Sequence, residues 1–130
     1  MMKYIKYFNE SKNEKPNIKK YDIDGFIVLQ GKDAYSNDYL TLEMAKEDDI
    51  WMHAKGVPGS HVVIRVSDKL PTMEIIKKAA QIAAKNSKSV EDRVLIVWCK
   101  KKFVKKEGGM NVGQVKVDYI NANEIIVPKK

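Results

Sequence analysis

PTMEIIKKAAQIAAKNS, residues 71–87, is the stretch whose reading decides the fold class. Thr72 stands where a hydroxyl can accept an amide hydrogen that the first helical turn leaves unpaired. Glu74 in that turn suits the positive end of the helix dipole. Ile75, Ile76, Ala79, Ala80, Ile82 and Ala83 recur at helical spacing and make a broad apolar stripe, with Lys77, Lys78 and Lys85 directed elsewhere. The alanines would let this helix lie close against a sheet, and Asn86 and Ser87 end it. No other helix of comparable length is expected. One long helix among many short strand-like runs speaks against a repeating βαβ plan. The expected fold is α+β: a mainly antiparallel sheet packed by one long alanine-rich helix and a short helix.

Working outward, KYIKYF at 3–8 reads as a short strand and the polar stretch 9–20 as a loop. A clear strand covers 26–29, with Gly31 after it. SNDYLTLEMAK at 36–46 places Leu40 and Met44 at helical spacing, to be capped by Ser36, Asn37 or Asp38. Residues 50–54 and 61–66 read as strands around KGVPGS. The run Val62, Val63, Ile64 and Val66 lacks strict alternation, so that strand is expected to be covered on both faces. Residues 94–99 form a central strand, followed by the basic run KKKFVKK, 100–106. Gly108 and Gly109 make a turn, QVKVDY at 114–119 alternates as a half-exposed strand, and 124–127 is a last strand. With no internal repeat and no linker, residues 1–130 read as a single domain.

A chain of 130 residues supports one core, and its 44% hydrophobic content is ordinary for a folded protein. No run approaches the roughly 18 apolar residues that cross a bilayer, and the N-terminus lacks a leader pattern. A cytoplasmic protein without a membrane partner is the default expectation. Cys99 is the single cysteine, and its apolar run suggests a buried thiol. Lys and Arg total 24 against 17 acidic residues, giving +7, with only Arg65 and Arg93 as arginines. That balance suits nucleic acid or another anionic surface.

Chemistry-bearing residues crowd into DIWMHAKGVPGSHVVIR, 49–65, which holds both histidines. His53 and His61 form no recognised metal spacing, and Cys99 is remote, so no metal is expected. Ser60 adjoins His61, but neighbours on a strand point to opposite faces. A triad also needs an orienting carboxylate, and nothing selects among Asp38, Asp48 and Asp49. No Walker loop is present and no cofactor is implied. The Pro58-Gly59-Ser60 turn has another use. Gly59 at positive φ would leave its amide uncovered in an anion-binding concavity. Lys55, Ser60 and Arg65 would add donors, neutral histidines could donate to phosphate, and Trp51 could stack on a base. The plainer alternative is a tight turn with a core tryptophan and satisfied histidines. Lys100, Lys101, Lys102, Lys105 and Lys106 are either a phosphate-contact patch or a solvated strand end.

The same stretch resembles the signature of the NFACT-R domain, the C-terminal domain of ribosome quality-control factors once described as fibronectin-binding-protein-like. GKDAYSNDYLT at 31–41, with Asn37 and Asp38, is similar to the family's glycine-led segment. AAQIAAKNSK at 79–88 is similar to its alanine-rich helix, and VWCKKKFVKKEGGMNVGQV at 97–115 to its basic strand end and glycines, here Gly108, Gly109 and Gly113. The matches run in family order across 21–128. Lys32 stands where arginine is common, Asp33 where asparagine is frequent and Met52 where an aromatic is usual. Lysine at 32 keeps the charge but loses the two-pronged fork.

The resemblance implies an α+β domain in RNA-related biology. The large factors carry further domains and promote C-terminal tailing on stalled large ribosomal subunits. This sequence reads as a stand-alone member, so tailing is not carried over. The residues expected to face RNA are Lys32, Asn37, Asp38, Trp51, His53, Lys55, Gly59, Ser60, His61, Arg65 and the five lysines of 100–106. Gly31, Pro58, Gly108, Gly109 and Gly113 would shape the loops. The expected partner is tRNA or ribosomal RNA, including the large ribosomal subunit, with DNA left open. The alternatives are a module docking on a protein, one that could supply missing domains, and a small RNA-modifying enzyme built on His53, His61 and Asp38.

Overall fold

Alternation within the strands, and its breakdown in one of them, builds the architecture. The computed structural model describes residues 15–130. In chain order these form β1 (Ile18–Ile23), β2 (Phe26–Gly31), α1 (Ala34–Asp38) continued by a π-helical turn (Tyr39–Met44), β3 (Ile50–Ala54), β4 (Val62–Ile64) and α2 (Met73–Lys85). Then follow β5 (Arg93–Lys100), a 3-10 turn (Lys101–Phe103), β6 (Val104–Lys105), β7 (Lys116–Val117), a second 3-10 turn (Tyr119–Asn121) and β8 (Asn123–Pro128). Six strands form one sheet in the order β1-β2-β4-β3-β5-β8, and β6 pairs with β7 apart from it. Every neighbouring pair is antiparallel. The fold is α+β, as the single long helix implied.

Each face of the large sheet has its own apolar layer. Ile50, Met52 and Ala54 of β3 join Val62 and Ile64 of β4 beneath α2, whose Ile75, Ile76, Ala79, Ala80, Ala83 and Ala84 are buried against them. Trp51 and Val63 point the other way, into a layer with Leu29, Leu40, Val97, Cys99, Val104 and Val117. That double cover is why β4 reads as an unbroken apolar run. Each fully buried valine or isoleucine contributes about 1.5–3 kcal/mol relative to exposure. The cap on α2 is Thr72, whose hydroxyl accepts from Ile75 N at 3.3 Å. Cys99 is buried, and burial pushes its thiol up to about 11.

Several boundaries differ from expectation. The strand expected at 3–8 lies outside the described residues. Part of the stretch read as a loop is β1, because Ile18, Lys19 and Lys20 pair with Gly31, Gln30 and Leu29 at the sheet edge, where polar side chains are acceptable. The first helix starts at Ala34, and its cap is Asp33, which accepts from Ser36 N at 2.8 Å. Ser36, Asn37 and Asp38 are therefore buried inside the helix and not at its cap. Only Lys116–Val117 of 114–119 is strand, because its partner β6 is two residues long. Asp118 then caps the 3-10 turn by accepting from Ile120 N at 3.2 Å.

The close seat of α2 sets a test. Ala80→Leu should cost about 1–3 kcal/mol in urea unfolding, since the buried alanine faces the sheet. Lys77→Leu on the exposed face should change stability by no more than about 0.5 kcal/mol. Equal effects would contradict this packing.

Candidate functional site

The loop between β3 and β4 is held by residues remote in sequence. Asn37 Oδ1 accepts from His61 N at 3.0 Å, and its Nδ2 donates to Gly59 O at 3.3 Å. Gly31 makes room for this clamp: a Cβ there would lie 2.2 Å from Asn37 Oδ1. On the other side, Gly59 bridges to Ser87 just after α2, and Lys88 N donates to Pro58 O at 2.8 Å. A Cβ on Gly59 would meet Ser87 Cα at 3.0 Å. Gly59 is thus required by close approach, not by positive φ; the left-handed residue of the loop is Gly56, at φ 76°.

Behind the loop runs a buried relay. Trp51 Nε1 donates to Thr41 Oγ1 at 3.1 Å, and Thr41 Oγ1 lies 2.7 Å from His61 Nδ1. Burial first, then the adjacent His53, lowers His61 to about 3, so the ring is neutral, while backbone groups at Gly113 and Asn37 pull the other way. The assignment that satisfies every group has the Thr41 hydroxyl donating to Nδ1 and the single ring N–H serving the Gly113 backbone. His53 stacks on Trp51 at 6.1 Å between ring centroids and meets His61 edge-on at 5.4 Å. Its pKa is also lowered by burial, against hydrogen bonding from the Gly59 and Ala54 backbone.

A cleft of about 830 Å³ opens beside this relay. Its walls are the β2–α1 connection (Lys32, Asp33), the loop Lys55–Ser60, Asn86 and Lys88 after α2, and residues 112–115 with Tyr119. Lys32, Lys55 and Lys88 face one lining carboxylate, Asp33, which is engaged as the α1 cap. Lys32 and Lys88 have no side-chain partner among the described residues. Lys55 is bound to Glu124 at 2.6 Å and lies 5.0 Å from the Tyr119 ring centroid. Ser60 is 9% exposed; its oxygen accepts from Gln30 Nε2 at 3.0 Å, and Gln30 accepts from the Tyr21 hydroxyl at 2.6 Å. The Ser60 proton has no acceptor among the described residues, which leaves a donor on the cleft wall.

Other expected site residues are engaged within the protein. Trp51, His53 and His61 all line the cleft, but Trp51 and His61 are 1% and 2% exposed and only His53 is half-buried. Arg65 Nε binds the buried Asp49 at 3.0 Å, and Asp49 also accepts from Val66 N and Lys46 N. Asp38 binds Lys106 at 3.0 and 3.2 Å, and Lys106 further donates to the carbonyls of Asn111 and Gln114. Lys106 therefore ties down the 106–114 loop. No described hydrogen bond joins Asp38 to either histidine. Nor does any group of three or more His, Cys, Asp or Glu among the described residues form a metal-binding set. Ile50 pairs with Lys100 and Ala54 with Ile96, so the basic run starts at the sheet end opposite the loop. There Lys100 meets Asp48 at 3.7 Å, Lys101 meets Glu47 at 3.6 Å, and Lys102 lies over Phe103. Lys105 is exposed. Gly109 and Gly113 take positive φ, whereas Gly108 does not.

Residues 7–119 match the family model described as the NFACT protein RNA binding domain. The chain belongs to the NFACT-R family. It is similar to the Rqc2 homolog RqcH of Bacillus subtilis (strain 168), at 40% identity over 111 residues, covering 84% of this chain and 19% of that protein. Its identity to the Rqc2 homolog RqcH of Streptococcus suis (strain 05ZYH33) is 44% over 86 residues, 64% of this chain and 15% of that one. Among solved structures, it resembles the C-terminal part of the fibronectin/fibrinogen-binding protein from Streptococcus suis. The TM-score is 0.78 at 35% identity, covering 90% of this chain and 46% of that chain. The sequence spans about a fifth or less of the length of these RqcH relatives. No helix among the described residues is long and apolar enough to cross a membrane.

Two cleft residues of this NFACT-R chain are absent from those expected to face RNA. Lys88, which the resemblance covers as part of the Ser87-Lys88 pair after the helix, reaches the cleft through the Gly59–Ser87 bridge, a pairing no local pattern announces. Tyr119 was assigned to a strand, whereas it lies in a 3-10 turn on the cleft wall.

The neutral His61 sets a pH dependence. Its folded pKa is about 3 against 6.5 unfolded, so the unfolded chain binds the extra proton below about 6.5. Stability is full above that value and falls as pH drops toward about 3. Lowering pH from about 7 to about 5 should cost about 2 kcal/mol in urea unfolding. His61→Gln should be less stable at neutral pH and show a flatter profile. A flat profile for the unaltered protein would contradict the buried neutral ring.

Proposed function

We propose that the protein binds RNA by seating backbone phosphates in the cleft, and that it catalyses no reaction of its own. The single observation that carries this reading is the pair of ammonium groups, Lys32 and Lys88, without a side-chain partner among the described residues, on separate walls of one concave site. The Ser60 hydroxyl adds a fixed donor between them and the buried relay. Asn37, His61, Gly31 and Gly59 act by holding the loop. Support also comes from the description of the family as RNA binding and from its place in proteins named as Rqc2 homologs. The RNA proposed is tRNA or ribosomal RNA, met in translation or ribosome quality control at the large ribosomal subunit. The +7 net charge, with Lys105 open at the far end of the sheet, steers the polymer without selecting it.

Docking on a protein is a second reading with one observation behind it. Ile120 and Ile126 are 94% and 54% exposed, just before and within the edge strand β8. A partner retained after nuclease treatment and lost in Ile120→Ser/Ile126→Ser would favour it.

The test is a titration of tRNA, an unrelated structured RNA and duplex DNA at two salt concentrations. Lys32→Ala/Lys88→Ala should weaken RNA binding about tenfold or more and lower the salt slope by about 2. Lys100→Ala/Lys101→Ala should have the smaller effect, because those side chains have acidic neighbours. Undiminished binding in the cleft variant, or no binding by the unaltered protein, would contradict the proposal.

A further inference from the structure

We infer that the cleft takes an unpaired nucleotide of single-stranded RNA, with its base stacked on Tyr119 and its phosphate toward Lys32 and Lys88. The inference rests on the RNA-binding reading and adds the form of RNA to it. Three observations carry it. First, the site is concave, and its volume of about 830 Å³ falls within the range of pockets that enclose small molecules, roughly 300–1,000 Å³. The backbone of a continuous duplex presents phosphates to a surface but keeps its bases in the stack, whereas a splayed nucleotide can enter a cleft.

Second, the cleft has an exposed aromatic wall. Tyr119 is 55% exposed, whereas Trp51 and His61 are buried in the relay and His53, also on the cleft lining, is half-buried with its ring stacked on Trp51. Glu124 holds Lys55 beside that ring, 5.0 Å from its centroid, so a cation already lies against the stacking platform. An exposed tyrosine pinned next to a lysine, on the wall of a basic cleft, offers a base the sequence-tolerant contact that single-strand binders use. Third, the Ser60 hydroxyl is nine-tenths buried and its proton, on the same lining, has no acceptor among the described residues. Its position suits a sugar or phosphate oxygen, the acceptors that every nucleotide supplies.

Binding would be measured by anisotropy with a labelled eight-nucleotide single strand and with its blunt-ended duplex. A second single strand carries 2-aminopurine, whose fluorescence reports stacking. The unaltered protein should prefer the single strand by about tenfold and change 2-aminopurine emission. Tyr119→Ala should weaken single-strand binding about tenfold, leave duplex binding unchanged and abolish the emission change, while Tyr119→Phe should retain all three. Because Tyr119 is largely exposed, folding of the variants can be verified by circular dichroism. Equal binding to strand and duplex, unaffected by Tyr119→Ala, would overturn this inference and leave RNA binding intact. No binding to either probe would overturn the RNA reading itself.

Discussion

Asn37 commits both ends of its carboxamide to one short stretch of backbone, accepting from His61 N and donating to Gly59 O. The loop wall of the cleft depends on that clamp, with the Gly59–Ser87 bridge holding it from the other side. It joins the first helix to the returning loop, so the loop is positioned by a buried side chain and not by a hairpin turn of its own. Removing it would leave the buried His61 amide unpaired, at a cost of about 1–3 kcal/mol. The clamp in turn requires Gly31, since any side chain there would occupy the space of Asn37 Oδ1. One glycine and one asparagine, six residues apart, thereby hold a loop more than twenty residues downstream.

The loop divides the polar residues into two populations with different work. Behind it, Trp51, Thr41 and His61 bond one another in a buried relay, and that burial keeps the imidazole neutral. In front of it, Lys32, Lys88 and the Ser60 proton have no side-chain partner among the described residues and lie on a concave surface. Buried polar groups are costly unless paired, and solvated lysines are not. The arrangement therefore places its rigidity behind the cleft and its available charge inside it. Elsewhere the charge is partly consumed: Arg65 serves Asp49, Lys106 serves Asp38, and Lys100 and Lys101 have acidic neighbours.

Much of the fold was legible in the chain because it follows from short-range pattern. The alanine-rich stripe of α2, the Thr72 cap and the unbroken apolar run of β4 each have a local cause. The 49–65 stretch was also legible as the place where polar groups gather, and much of it lines the cleft. What local pattern could not reveal was which way each polar group is directed. His61 and Arg65 look like donors to a ligand until the remote partners Thr41 and Asp49 are seen. Lys106 looks like part of a basic patch until its chain turns back to Asp38. Lys88 falls in a stretch that the family resemblance covers, but its place on the cleft, like that of Tyr119, comes only from tertiary contacts.

The most direct test of the central claim, that the cleft and not the basic run receives the nucleic acid, is amide chemical-shift mapping during titration with an RNA single strand. The account predicts that amides of 31–34, 55–60, 86–88 and 112–119 shift together and saturably, with 100–105 moving little. Shifts confined to 100–105, with the cleft segments unmoved, would contradict it.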